Sequence, residues 1–312
     1  MKVVIVCSGN SDSISPFVKE QTECLDKSFN VRFHFFLIRG KGIFGYLKNI
    51  PGLMKFIKQT KPDIIHAHYG LSGILANFQR KIPVITTFHG SDINDKSVRK
   101  FSKIASIISN HIILVSPGFF EKLRIKENFS VIPCGIDLDI FYPILKDDAR
   151  QKMNLDINSK IVLFAGASDN KVKNFNLAEK AINLLNFTVQ LIELKSYTRD
   201  EVNLLLNACD VALLTSFNEG SPQFIKEAMA CNCPIVATEV GDIKWVFGDT
   251  DGCYLATFDA IELAEKVKKA IGFARTKGRT NGREQIIKLG LDSETIARKI
   301  IDVYNKVLKI EN

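Results

Sequence analysis

Short apolar runs alternate with longer segments of helical periodicity along almost the whole chain, and this alternation restricts the fold more than any other feature. It is typical of parallel sheets whose strands are joined by helices. Six runs precede a break and five follow it, so we predict two Rossmann-like, doubly wound α/β domains facing a cleft. The predicted strands are residues 3–7, 31–38, 64–67, 84–88, 111–115, 130–132, 160–164, 189–193, 211–215, 235–238 and 252–255.

The break between the two series marks the predicted domain boundary. Pro, Gly and Asp interrupt both periodicities from Pro133 to about Leu155. We therefore predict an N-terminal domain over residues 1–143, a linker over 144–158 and a C-terminal domain over 159–290. The remaining segment, 291–312, has apolar residues at helical spacing behind an Asp-Ser-Glu start, which indicates a helix from Asp292 to Leu308.

Composition excludes several classes of protein. Hydrophobic residues make up 46% and charged residues 24% of the 312 positions, which is typical of a globular chain and excludes disordered, collagen-like and coiled-coil proteins. Apolar runs are too short to span a bilayer, and the first residues are too short for a signal peptide, so we expect a cytoplasmic protein. Seven scattered cysteines favour reduced thiols over disulfides, and Cys231 and Cys233 lack the partners of a zinc site.

The net charge of +8 comes entirely from the first half of the chain. Residues 39–61 hold six basic residues and no acid, interleaved with aromatic and aliphatic side chains, as interfacial binding requires. We therefore predict that this segment docks on an anionic membrane. The alternative is that Leu47, Ile50, Met54 and Ile57 pack a helix on its own sheet. The lysines assigned to the membrane surface are Lys41, Lys48, Lys55 and Lys58.

The segment from Asn218 to Ala230 carries the most specific chemistry in the sequence. Ser221 is a favoured N-cap and Pro222 a favoured first helical residue, so we predict that a helix begins here. The N–H groups of Gln223 and its successor would then be free to bind an anion, above all phosphate.

Two carboxylates flank this predicted phosphate site. Glu219 precedes the helix, and Glu227 lies about a turn and a half inside it. Carboxylates do not attract phosphate, so their natural ligands are hydroxyl groups of a sugar and a ribose. The alternative for each residue is structural: Glu219 would complement the helix dipole, and Glu227 would be a solvated helix residue.

The spacing of these two acids resembles the E-x7-E motif of retaining glycosyltransferases of family 4, in the extended form EGSPxxxKEAMAC. The resemblance runs through nearly the whole chain and is strongest to members that build capsular, teichuronic or other surface polysaccharides. It implies the two-domain GT-B fold, with the final helix returning to the N-terminal domain. The other matching segments are Asp63–His68, Thr87–Asp92, Val131–Pro143 and Cys209–Ser216.

The resemblance implies a role for each matching residue. Glu227 would hold the ribose hydroxyls, Glu219 would contact the donor sugar, and Lys173 would neutralise the diphosphate. His89 matches the active-site histidine that contacts the donor sugar. His68, the more cleft-exposed of the pair His66 and His68, is assigned to the acceptor side. The other donor-site candidates are Gly9, Gly166, Lys171, Gly220, Ser221, Pro222 and Gln223.

Two departures from the family pattern keep a second hypothesis open. The family usually has an Arg shortly after Gly166, but Ala167 and Ser168 follow here, so a second cation is missing or is supplied by Lys171. Trp245 stands where the family commonly has an acid. The protein is therefore either an active transferase or a catalytically weak, sugar-nucleotide-binding subunit of one.

Two other motifs point to different classes of protein. Gly40–Gly45 matches G-x-G-x-x-G, which would indicate an NAD-dependent oxidoreductase. It follows the second strand and not the first, and His66 occupies the position of the ribose-binding acid. Asp249 and Asp251 match a metal-binding D-x-D, but we expect a turn there.

We therefore expect a retaining transferase that moves a sugar from a nucleotide-diphosphate donor to a glycan or lipid-linked acceptor. No metal and no cofactor are expected, because lysines and the helix N-terminus would bind the diphosphate. Nucleic acid is not an expected partner. The sequence leaves the sugar, the base and the acceptor open.

Overall fold

The computed structural model describes residues 1–10 and 14–310, and it divides into two compact units. The first contains residues 1–135 together with the chain from Ser293 onward, and the second contains Ile136–Asp292. Each unit is built around one parallel sheet.

The first unit holds a six-stranded sheet in the order β2-β1-β3-β4-β5-β6. Its strands are β1 (Lys2–Ser8), β2 (Arg32–Ile38), β3 (Ile64–His68), β4 (Val84–Phe88), β5 (His111–Leu114) and β6 (Phe129–Val131). Its helices include α1 (Pro16–Phe29), α2 (Gly42–Leu47), α3 (Ile50–Thr60), α4 (Gly70–Ala76), α5 (Ser91–Asn94), α6 (Lys96–Ile108) and α7 (Phe119–Leu123).

The second unit holds a five-stranded sheet in the order β11-β10-β9-β7-β8. Its strands are β7 (Ile161–Phe164), β8 (Gln190–Glu193), β9 (Val211–Leu214), β10 (Ile235–Thr238) and β11 (Cys253–Ala256). Its helices are α8 (Lys146–Lys152), α9 (Phe175–Asn183), α10 (Arg199–Ala208), α11 (Gln223–Ala230), α12 (Ile243–Phe247), α13 (Ala260–Thr276) and α14 (Gly282–Lys288), with a 3₁₀ turn at Lys171–Lys173.

The last helix, α15 (Ser293–Leu308), groups with the first unit and packs on α1. The Tyr304 side chain on this helix is fully buried. Glu311 and Asn312, which end the predicted segment 291–312, lie outside the described residues.

The predicted doubly wound α/β class is confirmed, and each of the eleven predicted strands matches an observed strand with ends that differ by at most one residue. The reason is burial on both faces: Val3, Val4, Ile5 and Val6 are all fully buried, so a central parallel strand is a continuous apolar run.

The division between the units lies at Gly135, earlier than the predicted end of the first domain at residue 143. The predicted linker, 144–158, belongs to the second unit. Helix α8 within it packs on α10, and the buried Arg150 donates hydrogen bonds to the carbonyl of Ala208 at 2.9 Å and to Asp210 at 3.0 Å. One charged residue of the predicted linker, Arg150, is therefore buried in an ion pair with Asp210 of the second unit.

The G-x-G-x-x-G match spans a tight turn at Gly40 and the start of α2. A Cβ atom at Gly40 (φ +108°) would lie 2.9 Å from the Cα of Gly45. Asp249 and Asp251 lie in turns between α12 and β11, as expected. Both motifs therefore have a local structural explanation.

Candidate functional site

The sequence-predicted site residues follow the carboxyl ends of strands, where open α/β sheets bind ligands. In the second unit, Gly166 follows β7 and Glu219 follows β9. In the first unit, Gly9 follows β1 and His89 follows β4. Each unit thus has its own set of polar groups after the carboxyl ends of its strands.

Lys173 and Glu219 form an ion pair in the second unit. The Lys173 Nζ lies 2.8 Å from Glu219 Oε1, and the Ser216 hydroxyl donates to the same oxygen at 2.8 Å. Gly166 (φ +150°) permits this arrangement, because a Cβ atom there would lie 3.0 Å from Cγ of Lys173. The lysine stem thus crosses the backbone of Gly166, and both charged groups stay partly accessible, with 23% and 18% of their side chains exposed.

Glu227 pairs with a residue that the sequence analysis missed. The Arg199 Nη1 lies 2.6 Å from Glu227 Oε1, and the guanidinium lies over the ring of Phe141 at 4.5 Å. Only 4% of the Glu227 side chain is exposed, so the alternative of a solvated helix residue is wrong. A buried carboxylate needs such a partner. The available signal was the Thr198 capping box that begins α10 directly after β8.

Helix α11 begins one residue later than predicted. Pro222 is its N-cap, with extended backbone, and Gln223 is the first helical residue. The Ser221 hydroxyl does not cap the helix but accepts a hydrogen bond at 3.1 Å from the Nζ of Lys226, which is fully buried. A buried cation therefore lies at the amino end of α11, and the sequence analysis did not single it out.

The remaining donor-site candidates have simpler surroundings. Lys171 is exposed on the 3₁₀ turn beside the Lys173 backbone. Gly220 is packed against Gly241, since a Cβ atom at Gly241 would lie 2.5 Å from the Gly220 carbonyl oxygen. Gly9 donates to the carbonyl of Ile38 at 2.8 Å, and a Cβ atom there would lie 2.7 Å from Leu37 Cβ. Ser11 and Asp12 of the same loop lie outside the described residues.

Three histidines line up in the first unit. His89 Nε2 lies 2.9 Å from His68 Nδ1, and the His68 ring stacks on that of His66 at 4.6 Å. His66 in turn lies 2.7 Å from the hydroxyl of Tyr304 and 2.7 Å from that of Thr87. The prediction that His68 is exposed is wrong, because β3 is a central strand and buries the side chain completely.

Burial keeps this row of histidines uncharged. It lowers the pKa of His68 to about 3 and holds the pKa values of His66 and His89 well below the ordinary value of 6.5. Asp92 holds the backbone at His89 in place, since its carboxylate accepts hydrogen bonds from the backbone N–H of His89 at 3.1 Å and of Gly90 at 3.0 Å. Burial raises the pKa of Asp92 to about 6, against the effect of these hydrogen bonds.

The basic segment forms α2 and α3 with its lysines outward. Lys41, Lys48, Lys55 and Lys58 are exposed, and Phe44 is 82% exposed. Buried Leu53 and Ile57 attach α3 to the sheet, whereas Met54 remains 42% exposed. The packing alternative thus holds for Ile57 and not for Met54.

Residues 1–10 and 14–310 offer neither a helix that could span a membrane nor a cluster that could hold a metal ion. No helix in these ranges is long and apolar enough to cross a bilayer. Nor do three or more His, Cys, Asp or Glu side chains come together there in a group that could hold a metal ion.

Sequence comparison places the chain among glycosyltransferases. The family model described as Glycosyltransferase Family 4 matches residues 1–140, and that described as Glycosyl transferases group 1 matches residues 148–272. A Bacillus subtilis protein named as a teichuronic acid biosynthesis glycosyltransferase is 25% identical over 70% of this chain, which spans 64% of that relative, less than two thirds of its length. A Campylobacter jejuni N,N'-diacetylbacillosaminyl-diphospho-undecaprenol alpha-1,3-N-acetylgalactosaminyltransferase is 26% identical, with 85% of this chain and 83% of the relative covered.

Solved structures agree on the fold. Sucrose-phosphate synthase from Thermosynechococcus elongatus superposes with a TM-score of 0.85 at 18% identity, covering 99% of both chains. Anabaena HepE in complex with UDP and glucose superposes with a TM-score of 0.75 at 16% identity, covering 98% of this chain and 100% of the other. With family matches on consecutive stretches that reach into both units, the chain belongs to glycosyltransferase family 4 and has the GT-B fold.

Proposed function

We propose that this protein is a retaining glycosyltransferase that moves a sugar from a nucleoside diphosphate donor to a lipid-linked or glycan acceptor in surface-polysaccharide synthesis. The observation that carries the proposal is the pair of ion pairs in the second unit, Lys173 with Glu219 and Arg199 with Glu227. Glu219 lies shortly before the amino end of α11, where backbone N–H groups favour phosphate, and Glu227 lies inside that helix.

Both acids and Lys173 have a role in donor binding. The two hydroxyls of a ribose can donate to Glu227, and a sugar hydroxyl can donate to Glu219. Lys173, released from Glu219 by that exchange, then meets the diphosphate as a point charge. The departing phosphate gains negative charge as the bond to the sugar breaks, so a fixed cation lowers the barrier.

The reaction breaks the bond between the anomeric carbon and the phosphate oxygen, and its electron pair leaves with the nucleoside diphosphate. The acceptor hydroxyl forms the new bond on the same face and gives up its proton to the departing phosphate. We assign His89 to the donor sugar, where a neutral imidazole can hydrogen-bond a hydroxyl without attracting the diphosphate.

The acceptor assignment rests on the relatives and on the basic segment. The name of the Campylobacter relative specifies a diphospho-undecaprenol acceptor, which is a membrane lipid. The exposed lysines of residues 39–61 and the exposed Phe44 suit docking on the anionic surface that carries such a lipid. We therefore propose peripheral association of the first unit with the membrane.

Flotation with liposomes tests the docking. Replacing Lys41, Lys48, Lys55 and Lys58 by Glu should abolish binding to phosphatidylglycerol vesicles, since each cation near an anionic surface contributes about 1 kcal/mol. Binding that does not depend on anionic lipid, or that survives the four replacements, would leave these lysines as ordinary solvated surface.

A binding subunit without catalysis is the second candidate. Its support is the sequence after Gly166, where Ala167 and Ser168 replace the usual Arg. Against it, the second unit holds two further cations, Arg199 on Glu227 and the buried Lys226 at Ser221.

A thermal-shift panel of nucleotide sugars followed by a donor-hydrolysis assay separates the two candidates. We expect one nucleotide sugar to raise the melting temperature and to be hydrolysed slowly, with both effects lost in Glu227→Gln. The matched control is Glu179→Gln, an exposed acid of the same unit. Stabilisation without hydrolysis or transfer would favour the binding subunit, and no stabilisation by any donor would contradict both.

A further inference from the structure

A groove of about 990 Å³ opens on the first unit, in the size range of small-molecule sites. One wall is the second half of α3, and the other is the segment 78–82 between α4 and β4. Its apolar lining is Met54, Ile57, Pro62, Phe78 and Ile82. Phe78 is 52% exposed, so an aromatic face is open to a ligand.

The rim of the groove is cationic on both walls. Its charged residues are Lys55, Lys58, Lys61, Arg80 and Lys81, and the described lining includes no acid. All five are exposed. An apolar floor with low-dielectric walls concentrates the field of these charges.

The groove is remote from the candidate site of the same unit. It lies where α3 ends and where β3 and β4 begin, which is the amino edge of the sheet. His89 follows the carboxyl end of β4, so the five residues Val84–Phe88 separate the two, roughly 16 Å at the usual rise of a strand. A molecule in the groove therefore does not overlap the position proposed for the donor sugar at His89.

The chemistry of the lining restricts the occupant. The cations favour binding of an anion, and the apolar floor favours binding of a hydrocarbon group. An amphiphile with an anionic head meets both requirements. A second copy of this chain would bring like charges together. A free phosphate or a nucleotide would use the rim and leave Phe78 and Met54 in water.

We propose that the groove binds a single anionic phospholipid, with its phosphate among the rim cations and an acyl chain along Met54, Ile57 and Phe78. This inference rests on the proposed membrane docking and adds residues 78–82, which are distant in sequence from the basic segment. The lipid would fix the α3 side of the first unit against the bilayer.

Calorimetry on the full chain tests the site with a lipid below its micellar concentration, so that no membrane is present. Dihexanoyl-phosphatidylglycerol should bind, and dihexanoyl-phosphatidylcholine should bind at least tenfold more weakly. Arg80→Glu/Lys81→Glu should weaken binding by more than about 25-fold, since each cation contributes about fivefold. Phe78→Ser should weaken it with the charges intact.

The matched control is Lys96→Glu/Lys126→Glu, which makes the same charge change at exposed positions of the same unit outside the groove. Its affinity should stay within twofold of the parent. Three results would overturn the inference: equal affinity for both lipids, unchanged affinity in the Arg80/Lys81 variant, or sodium phosphate binding as tightly as the lipid.

The test also separates this site from the proposals on which it rests. Lys41→Glu/Lys48→Glu leaves the groove intact, so loss of vesicle flotation in that variant with unchanged calorimetry would support docking and groove together. Flotation that is lost in Lys41→Glu/Lys48→Glu but kept in Arg80→Glu/Lys81→Glu would support docking and contradict the groove. Lipid binding by a protein that hydrolyses no donor would contradict the proposed function alone.

Discussion

The two units present opposite kinds of polar groups at the carboxyl ends of their strands. The second unit offers charge: two cations, Lys173 and Arg199, each held on a carboxylate and each partly exposed. The first unit offers a row of neutral imidazoles, in which buried His68 hydrogen-bonds to His89 and stacks on buried His66. Charge attracts a diphosphate, whereas neutral groups orient a sugar, so we infer that donor affinity resides in the second unit and turnover depends on the first.

The largest expected effect is on donor affinity. Glu227→Ala and Lys173→Ala should each weaken nucleoside diphosphate binding tenfold to more than a hundredfold, since a charge-assisted contact is worth about 1.5 to 3 kcal/mol. Calorimetry with UDP, GDP and ADP measures this directly. Lys180→Ala, at an exposed position of α9, is the matched control for the lysine.

Loss of Glu227 also removes the partner of Arg199, so its Ala variant combines two effects. Glu227→Gln keeps the shape and separates them. If both Glu227 variants and Lys173→Ala bound nucleoside diphosphates like the parent, donor affinity would not reside in the second unit.

The next effect is on stability, and it belongs to the first unit. His68 has a folded-state pKa of about 3 against 6.5 when unfolded, so below pH 6.5 the unfolded state binds a proton that the folded state does not. The free energy of unfolding should therefore fall on acidification, with a contribution from His68 of about 2 kcal/mol between pH 7 and pH 5. His66 and His89 act in the same direction.

Asp92 opposes this trend, because its raised pKa makes the folded state bind a proton between about pH 6 and 3.8. Comparison with His68→Asn isolates the histidine. Denaturant unfolding at pH 7 and pH 5 should show a smaller loss of stability in the variant than in the parent. Equal losses would mean that His68 is protonated in the folded protein and that the row is not neutral.

A smaller effect is expected on turnover. His89→Ala should lower kcat about tenfold, the value of one lost hydrogen bond in the transition state, with nucleoside diphosphate affinity nearly unchanged. Steady-state kinetics beside calorimetry gives both quantities. If His89→Ala lost as much affinity as Glu227→Ala, the division of roles between the units would be wrong.

The sequence predicted both sheets and proposed the candidate site residues, but not the partners that hold them. Parallel strands buried on both faces are visible as apolar runs, and Lys173 and Glu219 lie in the segments that follow two of these runs, with Glu227 in the helix after Glu219. The partners of these residues were not predicted, because pairing depends on the fold: Arg199 precedes Glu227 by 28 residues, and Tyr304 follows His66 by 238. No local pattern encodes contacts of that separation.

Two local predictions were wrong, the first residue of α11 and the exposure of His68. Ser221 and Pro222 both favour the start of a helix. The buried Lys226 donates a hydrogen bond to the Ser221 hydroxyl, however, and the helix begins at Gln223. His68 alternates with a buried residue, so its exposure depended on whether β3 was an edge or a central strand. Strand order, and not strand position, decided that question.

The smallest expected effect is that of removing divalent metal, which we expect to leave turnover unchanged. A diphosphate needs positive charge when it leaves, and a metal ion is one way to supply it. The second unit has another, since Lys173 and the amino end of α11 lie beside Glu219, with Lys226 buried behind Ser221. We therefore expect turnover in EDTA to match turnover in Mg²⁺ or Mn²⁺. A loss in EDTA that either ion restores would mean that these cations do not suffice, and that charge in the second unit serves to bind the donor and not to release its diphosphate.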